Sequence, residues 1–356
     1  MSTFKTEELK KLVSYAIKGA GFNKLLELSN NIGVKITDDT LLLNTTDGTN
    51  YVCVSASGFT GDIDVTVNAD LFSKLISKIT SDTVDITEKD NSLVIDGNGR
   101  YTLDIVPNEN GDKLSFPDKF PTNAETIGKL EATDVVTIAT AIKVSLSTIA
   151  GSVYSSYYFG STIASTDRAM MSTFKREVFE KPYLVNKETI DLMSTSGSPV
   201  VVSTDGNMLV FETLLSDTVK IAVCSKIQTG IEEFNIDGIN KFISMEVKSF
   251  CRIRKPYLLE LLDRLSLSVS KFDDGAIKLH FTKTGLNISS LANNSIEYVE
   301  YEECKYAEDM EVKINIERLR NQLKAYNSDI VDLYYGGDMC IKLVDGDTTQ
   351  LIALMR

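Results

Sequence analysis

The chain has no tryptophan, a single histidine, six prolines and five cysteines in 356 residues. It also lacks the run of about 20 apolar residues that a membrane helix needs, which predicts a protein with no membrane partner. The start, MSTFKTEELKK, has no apolar core of the kind a secretory leader carries, so a cytoplasmic protein is expected. The one histidine, His280, lies in AIKLHFTK, where Ile277, Leu279 and Phe281 alternate with Lys278 and His280. That period puts His280 on the solvent side of a strand. A Ser-His-Asp triad through it would also need a nucleophile motif such as G-x-S-x-G, and the chain has neither that motif nor the G-x-x-x-x-G-K-[ST] phosphate loop. Cys53, Cys224, Cys251, Cys304 and Cys340 are odd in number, widely spaced and free of any C-x-x-C, which argues against a disulfide frame or a zinc site and for reduced, packed thiols. The acid pairs Asp38 with Asp39 and Asp273 with Asp274 sit in short polar breaks between strands, where Asp favours turns over metal binding. These absences leave no catalytic residue, no metal and no cofactor to expect. They favour a binding or scaffolding protein, with an enzyme of undetected site as the alternative from another class.

What is present is regular. At 43% hydrophobic and 24% charged residues the chain is a folding one, and its length suggests two or three domains. Amphipathic helical patterns occur at about 7–18, 69–79, 133–146, 187–196, 255–271 and 316–327, starting 62, 64, 54, 68 and 61 residues apart among runs that alternate like strands. Such a period predicts six copies of one unit: a strand and a helix followed by about three strands. Hairpin patterns follow every even-numbered helix, at 92–107 (SLVIDGNGRYTLDIVP), 208–224 and 339–354. In the first of these, Asp96, Gly97, Asn98 and Gly99 are residues that tolerate the positive φ of a tight turn. The six units then group by twos into domains 1–122, 123–245 and 246–356. The connector 107–124 holds three of the six prolines and reads as extended; a second connector at 226–245 is less distinct.

A net charge of −13 argues against a nucleic-acid partner until its distribution is considered. The six predicted helices together carry +4, leaving −17 on the rest. On the first, Leu9, Leu12, Val13 and Ala16 share one face and Lys11, Ser14 and Lys18 the other. On the second, Leu71, Leu75 and Ile79 oppose Ser73, Lys74, Ser77 and Lys78. On the last, Ile316, Leu319, Leu323 and Tyr326 form the apolar stripe and Arg318 and Lys324 are exposed. Lysines on one exposed helix are ordinarily only solubilising. Repeated over several units, Lys11, Lys18, Lys74, Lys78, Arg318 and Lys324 become candidate phosphate contacts that need not read bases.

Three segments in order carry a resemblance: GRYTLDIVP followed by FP, then YYFGSTIASTDRAMMS, then the closing LIALMR. The chain resembles the bacterial β sliding clamp, the DNA polymerase III β subunit family of replication processivity factors, over essentially its whole length. The corresponding family pieces are a G-x-x-R-F-x-L hairpin with a Phe-Pro pair, a Y-Y-x-x-G strand leading to A-T-D-x-x-R-L-A, and a close of M-P-M-R-L. The resemblance implies an α+β DNA clamp fold of three similar domains, each of two β-α-βββ halves. Two chains then join head to tail in a homodimeric ring, with helices lining the hole and sheets outside. It implies double-stranded DNA, a replicative DNA polymerase and a clamp loader as partners.

The resemblance also places sites. A peptide-binding pocket is expected from Leu351, Ala353, Met355 and Arg356 of the last strand, facing Thr166, Asp167, Met170 and Met171, with Phe159 beneath. The same alternation of Leu351, Ala353 and Met355 also suits a strand that simply faces a core. A dimer seam is expected at Arg100, Tyr101 and Leu103, opposite Ser268 and Val269; Tyr101 and Leu103 would serve equally as core residues of any edge strand. The chain departs from the family where Met170 and Met171 replace Arg and Leu, where Leu354 replaces Pro, and where the last Leu is missing; the usual F-P-D-Y is at best FNID at 234–237. These departures fit a divergent version, such as one a phage would encode for its own polymerase. A clamp-like scaffold that no longer encircles DNA and only recruits replication or transcription proteins is the alternative function.

Overall fold

The computed structural model describes residues 2–22, 26–245, 247, 249–270, 273–292, 295–306, 308–337 and 339–355. Six times a lead strand enters a helix that three strands follow. The first module is β1 (Ser2–Lys5), α1 (Thr6–Ala16), β2 (Asn31–Thr37), β3 (Thr40–Thr46) and β4 (Asn50–Ser57). The second is β5 (Ile63–Asn68), α2 (Ala69–Lys78), β6 (Thr83–Lys89), β7 (Ser92–Asp96) and β8 (Arg100–Asp104). The third is β9 (Glu125–Leu130), α3 (Ala132–Thr137), β10 (Ser156–Phe159), β11 (Ile163–Thr166) and β12 (Met170–Phe174). The fourth is β13 (Tyr183–Asn186), α4 (Lys187–Ser194), β14 (Val200–Thr204), β15 (Met208–Ser216) and β16 (Val219–Lys226), after which comes a separate helix, α5 (Ile236–Ile243). The fifth is β17 (Ser249–Arg254), α6 (Lys255–Ser266), β18 (Ala276–Phe281), β19 (Gly285–Ser290) and β20 (Ile296–Glu300), with a short β21 (Glu303–Lys305) after it. The sixth is β22 (Met310–Asn315), α7 (Ile316–Ala325), β23 (Ile330–Tyr335), β24 (Cys340–Asp345) and β25 (Thr348–Ala353). The fold class is α+β.

The chain forms two compact units, one of Met1–Val135 with Glu188–Ile227 and the other of Val136–Lys187 with Gln228–Arg356. The first unit holds a sheet of order β1-β6-β7-β8 and another of order β5-β2-β3-β4-β16-β15-β14-β9; the second holds β13-β10-β11-β12-β25-β24-β23-β17-β21 and β20-β19-β18-β22. Lead strands are exchanged between sister modules: β1 pairs with β6, β5 with β2, β9 with β14, β13 with β10, β17 with β23 and β22 with β18.

Local chemistry explains the helix starts. The lead strands of α2 and α7 end in Asn68 and Asn315, whose side-chain oxygens accept the N–H of Leu71 (2.9 Å) and Arg318 (3.0 Å). Asn235 does the same for α5 at Gly238 (3.0 Å). That helix lies inside the stretch expected as a connector; Phe234 and Ile239 are buried against Tyr158, Ala164 and Leu184. The buried face of α1 is the expected one, Leu9, Leu12, Val13 and Ala16. That of α2 is not. Phe72, Ile76 and Ile79 are buried while Leu71 is 57% exposed, because the Asn68 cap sets the phase and the larger Phe72 takes the core.

Two other expectations shift. The helix expected over 133–146 is α-helical only to Thr137, then π-helical over Ile138–Ile142 and tightly wound over Lys143–Ser145. A run of β-branched residues crowds it, Thr140 Oγ1 donates back to Val136 O (2.8 Å), and the displaced carbonyls find side-chain donors, Gln350 Nε2 to Ala141 O (3.1 Å) and Ser165 Oγ to Ile142 O. The helix expected to reach 271 ends at Ser266; Lys271 lies outside the described residues. The β7–β8 hairpin forms as expected, yet neither Gly97 nor Gly99 has positive φ. Gly97 matters for closeness instead: a Cβ there would lie 3.0 Å from Ile79 Cγ2, so the Ile79 side chain would have to give by a few tenths of an ångström. Asn98 accepts the N–H groups of Thr80 and Ser81 just past the end of α2. Of the two acid pairs, Asp38 and Asp39 both take positive φ and close the β2–β3 hairpin, and Asp274 does so with Gly275 before β18. His280 is half-buried on β18, opposite Asn287 and Glu311.

In the second unit Phe281 and Tyr335, both fully buried, stack with centroids 4.0 Å apart in a core shared by α6, α7 and both sheets. Replacing Phe281 by Ala removes this stack and is expected to destabilise the unit by about 3–5 kcal/mol, seen as an earlier transition in urea unfolding followed by far-UV circular dichroism.

Candidate functional site

Three surfaces collect the residues singled out from the sequence. The first is the exposed side of the helices. In the first unit α1 and α2 pack alongside one another, and Lys10, Val13, Ser14 and Ile17 face Ser73, Lys74, Ile76 and Ser77 across a groove of about 230 Å³. Lys11, Lys18, Lys74 and Lys78 are all exposed. Lys74 is held by Asp70 at 2.7 Å, one helical turn away, and Lys18 lies over the Tyr15 ring at 5.7 Å. In the second unit α6 and α7 pack together; Lys324 is exposed and Arg318 half-buried. Among the described residues Lys11, Lys78, Arg318 and Lys324 enter no ion pair. Arg320, on the same helix, is taken up by Glu317 and Asp263.

The second surface is a pair of sheet edges. β8 ends the four-stranded sheet of the first unit, and Arg100, Tyr101 and Thr102 on it are exposed, with Leu103 half-buried. Ile105 N–H donates to Asn91 O (3.0 Å), continuing the β7–β8 register, so Leu103 and Tyr101 direct their peptide groups into the sheet, while Arg100, Thr102 and Asp104 direct theirs outward. β20 ends the four-stranded sheet of the second unit in the same manner: Ser290 N–H donates to Ser295 O (3.0 Å), so Ile296 and Tyr298 turn their peptide groups outward, and their side chains are 68% and 47% exposed. Ser268 and Val269 follow the end of α6 and are half-buried; Ser268 O accepts from Ser290 Oγ (2.7 Å). Beside them Leu267 is 87% exposed. Arg264 grips Glu297 of β20 through two hydrogen bonds, 2.7 and 2.9 Å, and that contact holds the Glu297 carboxyl below the usual carboxylate range. The apolar alternation of Ile296 and Tyr298 was visible in the sequence as a signal for this edge.

The third surface surrounds the last strand. β25 lies between β12 and β24, with Met170 opposite Ile352 and Met171 opposite Leu351. Phe159, Thr166, Met170 and Leu351 are buried, whereas Met171, Ala353 and Met355 are half-buried; Arg356 lies outside the described residues. Thr166 and Asp167 shape a turn. Thr166 Oγ1 donates to Met170 O (2.7 Å), and Asp167 Oδ1 accepts from Ala169 N (2.8 Å) and Met170 N (2.6 Å). Between them Arg168 takes φ +76° and projects over the Tyr154 ring at 5.1 Å. Phe159 packs in the core between Tyr157 and Phe179. Past β25 the chain leaves one sheet for the other: Leu354 N–H donates to Met339 O (2.9 Å) and Met355 N–H to Lys313 O (2.8 Å). A cleft of about 420 Å³ opens there, lined by Val312, Lys313, Met339, Ala353, Leu354 and Met355. On the other side Met171 packs against the α5 cluster, in the stretch expected as a connector.

No family model matches the chain, and no curated protein matches it by sequence. Solved structures do. The DNA polymerase III β chain of Streptococcus pneumoniae superposes with a TM-score of 0.84 at 18% identity, covering 100% of this chain and 99% of its own. The fold is that of the bacterial β sliding clamp. The DNA polymerase sliding clamp of Pseudomonas aeruginosa (TM-score 0.83, 16% identity) and the DNA polymerase β subunit of Streptococcus pyogenes (0.86, 14%) likewise cover 100% of this chain and 99% of theirs. Identities this low mark a divergent sequence on the clamp fold. The exchanged lead strands and the six β-α-βββ modules are how this chain builds that fold.

Proposed function

We propose that this chain is a DNA polymerase processivity factor. Two copies join head to tail, encircle duplex DNA, slide along it without reading sequence, and tether a replicative polymerase after a clamp loader places the ring; the cytoplasm is where such a ring meets its template. The observation that supports this most is the likeness to DNA polymerase sliding clamps over the full length of the chain. The exchange of lead strands within successive pairs of modules favours three domains, 1–122, 123–245 and 246–356.

The two open edges support the head-to-tail arrangement. β8 and β20 are different edges, so joining one to the other in a second copy makes a heterologous contact, which ends in a ring when the rotation closes. The seam then comprises Arg100, Tyr101 and Leu103 on one side and Ser268, Val269 and the outer edge of β20 on the other. The helix lysines supply the attraction for phosphate. Counterion release makes that attraction salt-dependent, and the absence of base contacts permits sliding.

Reversing Lys11, Lys18 and Lys78 to Glu is expected to weaken duplex association roughly 10- to 100-fold at low salt and to lower the slope of log K against log [salt] by up to about 0.9 per lost contact, measured by fluorescence anisotropy with labelled duplex. Lys74→Glu has a smaller effect because Asp70 already holds that cation. The function itself is tested by topology. Loaded on nicked circular duplex, the protein withstands a high-salt wash and is lost when the circle is cut; equal retention on circular and linear DNA would overturn the proposal.

A further inference from the structure

Cys251 on β17 and Cys304 on β21 lie directly opposite one another. The ladder tells which kind of pair they form. Lys255 N–H donates to Asp329 O (2.8 Å), in register with the β17–β23 pairing, so every second residue back along β17, Ile253 and Cys251 included, turns its peptide groups toward β23. Arg252 faces the other way and accepts Glu302 N–H (2.8 Å) from the β21 side. Cys251 and Cys304 are therefore a non-hydrogen-bonded pair. In such a pair the Cα atoms stand about 4.5 Å apart, inside the roughly 4.4–6.8 Å that a disulfide spans.

Their Cβ atoms need to close by about an ångström from the usual spacing of opposed strand residues. β21 can supply that movement, being three residues long and the outermost strand of its sheet, paired to β17 alone. The other cysteines have no such partner. Cys53 opposes Ala222 and Cys224 opposes Tyr51, which leaves these two thiols on a diagonal of about 7–8 Å, beyond disulfide reach. Cys340 opposes Ala353.

We infer that Cys251 and Cys304 form a redox modification site, closed to a cross-strand disulfide by a small-molecule disulfide such as oxidised glutathione. Cys251 is fully buried and burial pushes its thiol up, so it does not meet the reagent first; Cys304 is half-buried, with its Sγ 3.6 Å from Lys283 O. The Cys304 thiolate attacks one glutathione sulfur, the S–S bond of the reagent breaks, and one glutathione leaves, with a mixed disulfide on Cys304. Cys251 sulfur then attacks Cys304 sulfur, and the second glutathione departs with the Cys251 proton. Two protein thiols are oxidised and one small disulfide is reduced to two thiols. The bond ties β21 to β17 and encloses a loop of roughly 50 residues, containing α6 and β18 to β20, which restricts the unfolded chain and raises the unfolding temperature.

The test incubates the full chain in glutathione buffers of rising oxidised fraction, quenches with N-ethylmaleimide and maps peptides without reduction. A Cys251–Cys304 cross-link is expected to grow as the labels on these two thiols fall together, with Cys53, Cys224 and Cys340 still labelled. Cys251→Ala stops at a glutathione adduct on Cys304, and Cys304→Ser gives neither species. Full labelling of both thiols in the most oxidising buffer would overturn the inference, as would an adduct on Cys304 of the unmodified sequence that never proceeds to the cross-link.

Discussion

Thr102→Pro is expected to convert the proposed head-to-tail dimer to a monomer. The substitution removes one backbone N–H, and the hydrogen-bond phase of β7 and β8 directs that N–H away from the sheet, toward the open edge. Proline is tolerated on an edge strand when its missing donor faces outward, and Tyr101 before it is already extended. The β8 sheet therefore survives, while pairing with a second copy loses a ladder bond and meets the pyrrolidine ring. The dissociation constant should rise by about 100-fold or more, the equivalent of about 2.8 kcal/mol. Light scattering across a dilution series reads the change, and circular dichroism checks that each chain is still folded. Leu103→Pro is the contrasting variant. Its N–H points inward, so it should damage the sheet itself.

The second large effect concerns the last strand. If the proposed function holds, deleting Met355 and Arg356 is expected to abolish stimulation of a replicative polymerase while leaving the proposed dimer and its DNA association intact. Met355 lines the cleft together with Glu311, Val312, Lys313, Met339 and Leu354, and its N–H bonds to Lys313 O on the neighbouring sheet. In the proposed role this cleft, where Met339 and Met355 lie beside Glu311 and Lys313, would take a short peptide that offers apolar side chains to the flexible thioethers and polar groups to the charged pair. Primer extension on a long single-stranded template measures the outcome as product length. Unchanged extension by the truncated protein would remove the cleft from the account.

The six-module plan was legible because it rests on period and spacing, which survive divergence. Helix starts at Thr6, Ala69, Ala132, Lys187, Lys255 and Ile316 fall within a residue of where the apolar periodicity places them. Phase was harder. The period of α2 admits either a Leu71–Leu75 or a Phe72–Ile76 stripe, and the choice is made by the Asn68 cap and by room for a phenyl ring, neither of which a pattern count weighs. Helix α5 carried its own signals, an Asn235 cap and the Ile239–Ile243 pair one turn apart, but Gly230 and Gly238 within a short acidic stretch masked them.

Of the pocket residues, those in the tight turn of β11 and β12 were read by type and not by role. Thr166 and Asp167 spend their oxygens on backbone N–H groups and their own turn, and Arg168, projecting from a left-handed position, was passed over although it is the residue the turn presents. The seam was read from one strand. For the other proposed edge, β20, the alternation of Ile296 and Tyr298 marks a strand, whereas which of its peptide groups turn outward follows only from the hydrogen-bond phase. Charge was read as a count, and the count missed that Asp70 lies one turn from Lys74.

The central claim is that two copies of this chain close a ring around a basic opening. Single-particle electron microscopy of the protein, at concentrations where light scattering reports twice 39.3 kDa, examines it directly. The account predicts closed rings with two-fold symmetry and a central hole that admits a double helix. Monomers under those conditions, or open chains of copies without a hole, would contradict it.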